Sequence, residues 1–342
     1  MGVNIIGSGS YVPDNILDNE MLSKLVDTND EWIVERTGIR RRHISKDETT
    51  EDMALKACQR AIEKSSIDVD EIEMIIVASV TSDTKVPSTA FTIAGRMGLK
   101  NIICMDINVA CSGYIYAIAT AKAMMRDMGK KYALVVGAER LTKYVNWEDR
   151  TTCILFGDGA GCMILENEDL VEDRSVSKYK YEIIDYHLGG KPDVNKYLTI
   201  DAKDKIDDED NLYIGMNGRQ VYKFATDVGP KVIDKLLKDN SVDESQVYSF
   251  VAHQANMRII ECLSDRSNIG MDRWYTNIQE YGNTSSASVA IAFDEVVSRL
   301  ESSDQNEGEI LGKYLITTAF GGGLSFGGIL MKIKMQDRKS GS

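Results

Sequence analysis

Two short stretches of the sequence carry residues that could perform nucleophilic chemistry. Cys111, in Asn108–Gly113, stands where an apolar run ends and a helix rich in small residues begins. A thiol at a helix N-terminus faces unpaired N–H groups and the positive end of the helix dipole, which favour the nucleophilic thiolate. His253, in Phe250–Asn256, follows a strand of the other half of the chain, at the end where open α/β sheets bind ligands. By position alone, a buried structural cysteine and a core histidine remain open interpretations.

Two further stretches could hold a reacting carbonyl group. Tyr281–Ser288 contains Asn283, whose amide is a hydrogen-bond donor, although Asn, Thr and Ser are also ordinary helix caps. Ala319–Leu324 contains three consecutive glycines, whose backbone a substrate can approach closely, or which form only a tight turn. Together the four stretches supply a nucleophile, a neutral base or donor, an amide donor and exposed backbone N–H groups. This combination indicates acyl transfer through a thioester.

The segments around these residues alternate between strand-like and helix-like patterns. Apolar runs of strand length and segments of helical period predict strands at Glu73–Val80, Ile102–Ile107 and Tyr132–Gly137, and helices at Ser88–Gly98 and Ser112–Met128. Such alternation is typical of an α/β fold with a largely parallel sheet.

The chain also contains an internal repeat. A shift of 175 positions lays Ser66–Ile72 on Ser241–Val247, and in both copies the segment follows an amphipathic helix and precedes an apolar strand. The same shift places the helix that begins at Cys111 on the helix that begins at Ser286. We therefore expect two duplicated halves, with the polar segment Asn167–Asp210 as the best candidate for the joint between them.

Composition and charge exclude several classes of protein. The 342 residues include 40 Lys+Arg and 53 Asp+Glu, and the resulting net charge of −13 argues against a general nucleic-acid binder. The longest mainly apolar run, Met74–Val80, is too short to span a bilayer, and the N-terminus lacks a secretory signal. Six cysteines without a C-x-x-C pair fit reduced thiols, and three scattered histidines give no metal site. We expect a soluble, cytoplasmic protein.

These motifs together resemble a known family. The sequence is similar to β-ketoacyl-acyl carrier protein synthase III, a condensing enzyme of the thiolase superfamily that starts bacterial fatty acid synthesis. The stretches that carry the resemblance run almost from end to end: Gly7–Pro13, Asp30–Ile39, the Cys111 stretch, Phe156–Gly161, His253–Asn256 and Gly282–Ser285. The resemblance implies a thiolase-like α/β fold of two duplicated βα halves, residues 1–170 and 171–342, in α-β-α-β-α layers.

The resemblance also implies a mechanism and its residues. Cys111 would take the acyl group from an acyl-CoA, with the backbone N–H groups of Cys111 and Gly322 as the oxyanion hole. His253 and Asn283 would then stabilise the enolate formed when malonyl-acyl carrier protein loses carbon dioxide. Acyl-CoA and malonyl-acyl carrier protein are substrates in this scheme, and no cofactor or metal is implied.

Further residues follow from the resemblance alone. Matching positions place Thr28, Trp32, Arg36 and Arg150 on CoA, and Lys223 and Arg258 at the docking surface for the acidic carrier protein. Asp265–Arg266 replaces further lysines found in some members.

The acyl pocket is implied in the same way. The pocket would be formed by Val86, Phe156 and Phe320, with Val86 reaching into the partner subunit of a homodimer. Val86 is a smaller residue than the family often has at this position, so a longer or branched primer could fit.

Several alternatives can be weighed from the sequence. Gly157, Gly159 and Gly161 are followed by a strand, whereas a dinucleotide fingerprint opens a helix. A thiolase would need a second cysteine near Gly321–Gly323, and a hydroxymethylglutaryl-CoA synthase would need a glutamate in Thr81–Thr84. An inactive scaffold protein would have lost part of the Cys–His–Asn set. A related condensing enzyme or acyltransferase of secondary metabolism, with another primer or acceptor, remains open.

Overall fold

The computed structural model describes residues 2–171, 177–200, 213–302 and 307–336. The strands are β1 (Val3–Tyr11), β2 (Ile16–Asp18), β3 (Arg41–His43), β4 (Ile72–Ala78), β5 (Ile103–Ile107), β6 (Tyr132–Arg140), β7 (Asp158–Asn167), β8 (Tyr179–Gly190), β9 (Leu198–Thr199), β10 (Gly215–Met216), β11 (Val247–Ala252), β12 (Tyr314–Gly321) and β13 (Ser325–Met335). The helices are α1 (Asn19–Leu22), α2 (Asp30–Thr37), α3 (Thr50–Ser65), α4 (Thr89–Arg96), α5 (Gly113–Met128), α6 (Gly218–Asp239), α7 (Met257–Ser267), α8 (Ile278–Tyr281), α9 (Ala287–Ser302) and α10 (Glu307–Ile310). The five elements predicted between residues 73 and 137 are confirmed, with ends shifted by a few residues.

Nine of the strands form one hydrogen-bonded sheet in the order β5-β4-β6-β7-β1-β8-β13-β12-β11. Its two halves meet at β1 and β8, which pair antiparallel over only two residue pairs. β4 runs parallel to β5 and β6, and β11 runs parallel to β12. β7 and β13 each run antiparallel to both neighbours, so the prediction of a largely parallel sheet was wrong. The sequence could not reveal this reversal, because a strand buried on both faces has the same apolar pattern in either direction.

The 175-residue repeat is visible in the backbone. Ser66 and Ser241 both adopt left-handed φ values, 56° and 53°. A short 3₁₀ turn follows in each copy, and β4 and β11 begin at the matching residues Ile72 and Val247. Equivalent strands therefore occupy equivalent places in the two halves of the sheet.

The helices form three layers around the two halves of the sheet. Within the described residues, α3 and α4 pack mainly on strands of the first half, and α6 packs mainly on strands of the second half. α5 and α9 contact strands of both halves and each other, so they form the central layer. The side chains of β4 alternate between the two faces of the sheet. Met74 and Ile76 pack in the core that contains α5, whereas Ile75 and Val77 pack in the core that contains α3. This arrangement confirms the expected α-β-α-β-α layering.

The predicted joint contains a long strand. β8 lies inside Asn167–Asp210 and is the first strand of the second half of the sheet. Residues 172–176 and 201–212, the second of which covers the end of this joint, lie outside the described residues. The division into residues 1–170 and 171–342 stays a prediction.

Candidate active site

Cys111 lies in a sharp turn between β5 and α5. Ala110 has a left-handed φ of 46°, and the 3₁₀ turn Ala110–Ser112 leads directly into α5. The cysteine is 7% exposed, and the backbone of Gly321 packs against it. Burial raises the pKa of the Cys111 thiol to about 12, although the neighbouring Ser285 hydroxyl acts in the opposite direction. Burial thus favours the thiol, whereas the helix N-terminus favours the thiolate.

His253 follows β11 directly and is buried. Its Nδ1 lies 2.5 Å from the hydroxyl of Ser288, which also accepts a hydrogen bond from the backbone N–H of Gln254. If the Ser288 hydroxyl donates to Nδ1, the proton of the neutral ring is on Nε2. Burial lowers the pKa of His253 to about 3, so the imidazole is neutral at physiological pH. The ring packs edge-on against Phe320, with centroids 5.6 Å apart.

Asn283 is held by its backbone between Leu155 and Gly157. Its N–H donates to the Leu155 carbonyl at 2.8 Å, and its carbonyl accepts from the Gly157 N–H at 3.1 Å. The side-chain Oδ1 accepts a hydrogen bond from the Ser285 N–H at 2.9 Å. Because Oδ1 is engaged in this way, Nδ2 is the amide group that remains for a ligand.

Two cavities meet at Cys111. The larger one, about 490 Å³, is mainly apolar and is lined by Val80, Leu141, Phe156, Leu198 and Ile214, together with Cys111, Ser285, Gly322 and Gly323. The smaller one, about 120 Å³, is lined by Cys111, Phe156, His253, Asn283 and Phe320, together with Tyr222 and Asn256. The structure therefore brings the three predicted catalytic residues to one place, with the thiol at the junction of the two cavities.

The three predicted acyl-pocket residues have different positions. Phe156 lines both cavities, whereas Phe320 lines only the smaller one and contacts His253. Val86 is 87% exposed and lines neither cavity of this chain. The apolar residues Leu141, Leu198 and Ile214 line the larger cavity but were missed, because they lie in a short turn, a two-residue strand and a loop, which are too short to carry a periodic signal.

The predicted CoA residues lie around the start of α2. Two guanidinium groups lie over the Trp32 ring, that of Arg36 at 5.6 Å and that of Arg150 at 5.4 Å from its centroid. The hydroxyl of Thr28 is buried and has no hydrogen-bond partner among the residues that the structure describes. An aromatic face, two cations and an unpaired hydroxyl are groups that can bind a nucleotide.

The predicted docking residues lie on α6 and α7. Lys223 shares a surface depression with Arg219 and Arg266, which the sequence analysis did not predict as docking residues. We call these three residues the basic surface. Tyr222 lines both this depression and the smaller cavity, so the basic surface borders the active site. Arg258 does not line this depression, and it donates from Nε to the backbone carbonyl of Glu35 at 3.0 Å.

Among residues 2–171, 177–200, 213–302 and 307–336, no group of three or more His, Cys, Asp or Glu side chains is arranged to hold a metal ion. Within the same residues, no helix has the length and apolar character needed to cross a membrane.

The duplicated layered fold and the Cys–His–Asn site define the thiolase-like class of proteins. The family model of 3-oxoacyl-[acyl-carrier-protein (ACP)] synthase III matches residues 105–189, and that of its C-terminal part matches residues 237–333. The chain belongs to this family. The β-ketoacyl-[acyl-carrier-protein] synthase III of Clostridium botulinum is 40% identical over 96% of this chain and 97% of that relative.

Solved structures agree with this assignment. The 3-oxoacyl-[acyl-carrier-protein] synthase III of Aquifex aeolicus superimposes with a TM-score of 0.85 at 37% identity, covering 97% of this chain and all of that one. The priming β-ketosynthase of the R1128 polyketide biosynthetic pathway has a TM-score of 0.85 at 30% identity, covering 98% and 97% of the two chains.

Proposed function

We propose that this chain is a β-ketoacyl-acyl carrier protein synthase III, which condenses an acyl-CoA primer with malonyl-acyl carrier protein to begin fatty acid synthesis. The observation that carries the proposal is the position of Cys111, between a large apolar cavity and a smaller cavity that contains His253 and Asn283. The synthase III enzymes of Clostridium botulinum and Aquifex aeolicus, at 40% and 37% identity, are more similar to this chain than the polyketide priming enzyme at 30%, so the secondary-metabolism alternative is not favoured.

The first half-reaction acylates Cys111. The sulfur attacks the thioester carbonyl of acyl-CoA, and the oxyanion that develops is held by the backbone N–H groups of Cys111 and Gly322. Collapse of this intermediate releases CoA and leaves the acyl group on the sulfur. The apolar larger cavity then holds the acyl chain, and Phe156 lies beside it.

The second half-reaction uses the smaller cavity. The Nε2–H of neutral His253 and the Nδ2–H of Asn283 donate to the thioester carbonyl of the malonyl group. As carbon dioxide leaves, the electron pair of its C–C bond forms an enolate, which these two donors stabilise. The carbanion attacks the acyl carbonyl, the C–S bond to Cys111 breaks, and β-ketoacyl carrier protein is released. His253 acts here as a neutral donor, because burial lowers its pKa. These side chains and backbone groups carry both steps, so the proposal includes no cofactor.

Substrate binding is assigned to the surfaces around the cavities. We infer that Trp32, Arg36, Arg150 and Thr28 bind the nucleotide of CoA. We further infer that the basic surface attracts the acidic carrier protein, with Arg258 contributing beside it. A local basic surface overcomes the repulsion expected from the net charge of −13.

We also propose a homodimer in the cytoplasm. β5 is the outermost strand at one end of the sheet, and all five of its residues are only half-buried. Val86 and Phe91 are 87% and 53% exposed, which fits apolar residues covered by a second copy. In such a dimer, Val86 completes the acyl pocket of the partner. The six free cysteines fit a reducing compartment.

Mass spectrometry of the intact protein tests the proposed function. The enzyme is mixed with a panel of acyl-CoAs, and malonyl-acyl carrier protein is then added. We expect a mass gain that is absent in Cys111→Ala and that malonyl-carrier protein discharges. His253→Ala should still gain the acyl mass but fail to discharge it. If the wild-type enzyme gains the acyl mass but malonyl-acyl carrier protein does not discharge it, the acyl group must be passed to a different acceptor. That result would favour the secondary-metabolism alternative.

A further inference from the structure

Glu139, at the end of β6, is a fully buried carboxylate that the mechanism above does not use. It accepts hydrogen bonds from the first half of the chain, from Thr81 Oγ1 at 2.7 Å and from the Val80 N–H at 3.2 Å. It also accepts from the second half, from Ser286 Oγ at 2.8 Å and Ser285 Oγ at 3.2 Å. No cation forms an ion pair with it within the part of the chain that the structure describes. A buried carboxyl group without a counter-ion is expensive, which suggests a use beyond packing.

One of these donors connects Glu139 to the nucleophile. Ser285 and Cys111 both line the larger cavity, and the Ser285 hydroxyl is close enough to the thiol to lower its pKa. Ser285 is fixed in place, because its backbone N–H is bound by Asn283 and its φ of 49° is left-handed. The Ser285 hydroxyl therefore interacts with both groups, because it donates to Glu139 Oε1 at 3.2 Å and lies beside the Cys111 thiol.

The acylation step needs an acceptor for the thiol proton. Cys111 is a thiol at rest, since burial raises its pKa to about 12. His253 is a poor acceptor, because burial lowers its pKa to about 3 and its Nδ1 is engaged with Ser288. Burial raises the pKa of Glu139, although the hydrogen bonds from Thr81, Ser286, Val80 and Ser285 lower it. The raised value makes this carboxylate a better proton acceptor than an exposed one.

We propose that Ser285 and Glu139 form a proton relay that activates Cys111 for acylation. As the sulfur forms its bond to the acyl-CoA carbonyl carbon, the thiol proton moves to Ser285 Oγ, and the hydroxyl proton of Ser285 moves to Glu139. When the intermediate collapses, the bond from that carbon to the CoA sulfur breaks, and the proton returns through Ser285 to this sulfur. Glu139 is then ionised again, and free CoA thiol leaves. Ser285 is the residue in contact with the reacting atom, and Glu139 acts through it.

This inference rests on the proposed role of Cys111, and it predicts a loss of rate in only one half-reaction, the acylation of Cys111. The relay serves acylation, whereas decarboxylation and condensation start from an acylated cysteine that has no thiol proton. Ser285→Ala and Glu139→Gln should therefore slow acylation by about 10²-fold, the usual contribution of positioned proton transfer. Both variants, once loaded by long incubation with acetyl-CoA, should condense with malonyl-acyl carrier protein within about threefold of the wild-type rate.

The experiment measures the two steps separately by rapid quench and intact-protein mass spectrometry. Ser286→Ala is the matched comparison, since Ser286 donates to the same carboxylate oxygen as Ser285 and also to the Ala78 carbonyl. We expect it to lose at least tenfold less in acylation than Ser285→Ala. Glu139→Asp should recover part of the acylation rate that Glu139→Gln loses. If Glu139→Gln does not fold, as judged by its melting temperature, Ser285→Ala and Ser286→Ala decide the question.

The outcomes separate the relay from a structural role. Acylation of Ser285→Ala within threefold of wild type overturns the relay, as does an equal loss in both half-reactions, which would make Glu139 a support for the fold only. Acylation that persists in Cys111→Ala would instead overturn the proposed function itself.

Discussion

The contact between Gly321 and Cys111 allows a prediction of catalytic geometry. Gly321 has extended backbone angles, φ −167° and ψ −168°, which any residue can adopt. A Cβ atom added there would lie 2.7 Å from the backbone nitrogen of Cys111 and 3.0 Å from its Cβ. Ordinary van der Waals contact begins at 3.4 Å, so the alanine variant is about 0.7 Å too close. The atoms it meets belong to backbone and a Cβ, which cannot rotate away.

Gly321→Ala should therefore displace the nucleophile. Overpacking of this kind costs about 1–3 kcal/mol of stability. A displacement approaching 1 Å at a reacting group can cost about 10²-fold in rate, so we expect acylation to fall by roughly that factor. The oxyanion hole moves as well, because Gly322 follows directly.

Gly129→Ala is the matched control. Gly129 ends α5, the helix that begins beside Cys111, and has a left-handed φ of 62° with no atom near its added Cβ. Alanine there should cost about 1 kcal/mol through backbone strain alone. Comparison of the two variants distinguishes the effect of lower stability on the acylation rate from the effect of a displaced Cys111.

The assay pairs chemical denaturation with single-turnover acylation by acetyl-CoA. Gly321→Ala should lose stability and about 10²-fold in acylation, whereas Gly129→Ala should lose stability with acylation close to wild type. An acylation rate of Gly321→Ala within threefold of wild type would refute the reasoning, because it would mean that the turn relaxes without moving the sulfur.

Three further predictions concern charge and binding. Burial lowers the pKa of His253 from 6.5 to about 3, so below pH 6.5 the unfolded chain binds a proton that the folded chain does not, and stability falls as pH falls. From pH 7.5 to 5 the wild type should lose about 2 kcal/mol more unfolding free energy than His253→Gln, and parallel urea curves would contradict this. Trp32→Ala should raise KM for acyl-CoA by about 2–30-fold but leave acyl-N-acetylcysteamine, which has no nucleotide, unchanged; equal losses with both substrates would exclude the nucleotide contact. Lys223→Glu should raise KM for malonyl-acyl carrier protein, most strongly at low salt, and leave malonyl-CoA unaffected; a loss independent of salt would remove Lys223 from the docking surface.

Local signals predicted much of the framework. The ends of β4, β5 and β6 follow from short apolar runs, and α4 begins after Ser88, whose hydroxyl caps its first turn. Cys111 and His253 could be identified because each follows a strand, where α/β folds place functional groups. These features are properties of a few consecutive residues.

What the sequence could not predict depends on contacts between distant segments. The depth at which Cys111 is buried sets its protonation state, and that burial comes from Gly321, more than 200 positions away. Leu198 and Ile214 line the larger cavity although nothing in their own segments indicates it. Glu139 follows a predicted strand and would pass for an ordinary surface residue, because its donors come from Thr81 and the start of α9.

The duplication explains why the site lies where the two halves meet. The 175-residue shift lays Asn108 on Asn283 and Ala110 on Ser285, and the second pair shares the left-handed φ that turns the chain into a central helix. One sharp turn is thus used twice, once before α5 and once before α9. In the first copy, the residue after Ala110 is Cys111, which carries the thiol. In the second copy, the turn presents the amide of Asn283 to the smaller cavity and the Ser285 hydroxyl to the sulfur. The first copy therefore supplies the nucleophile and the second copy supplies the amide and hydroxyl groups of the same site. Glu139 connects the two copies, because it accepts hydrogen bonds from both halves of the chain.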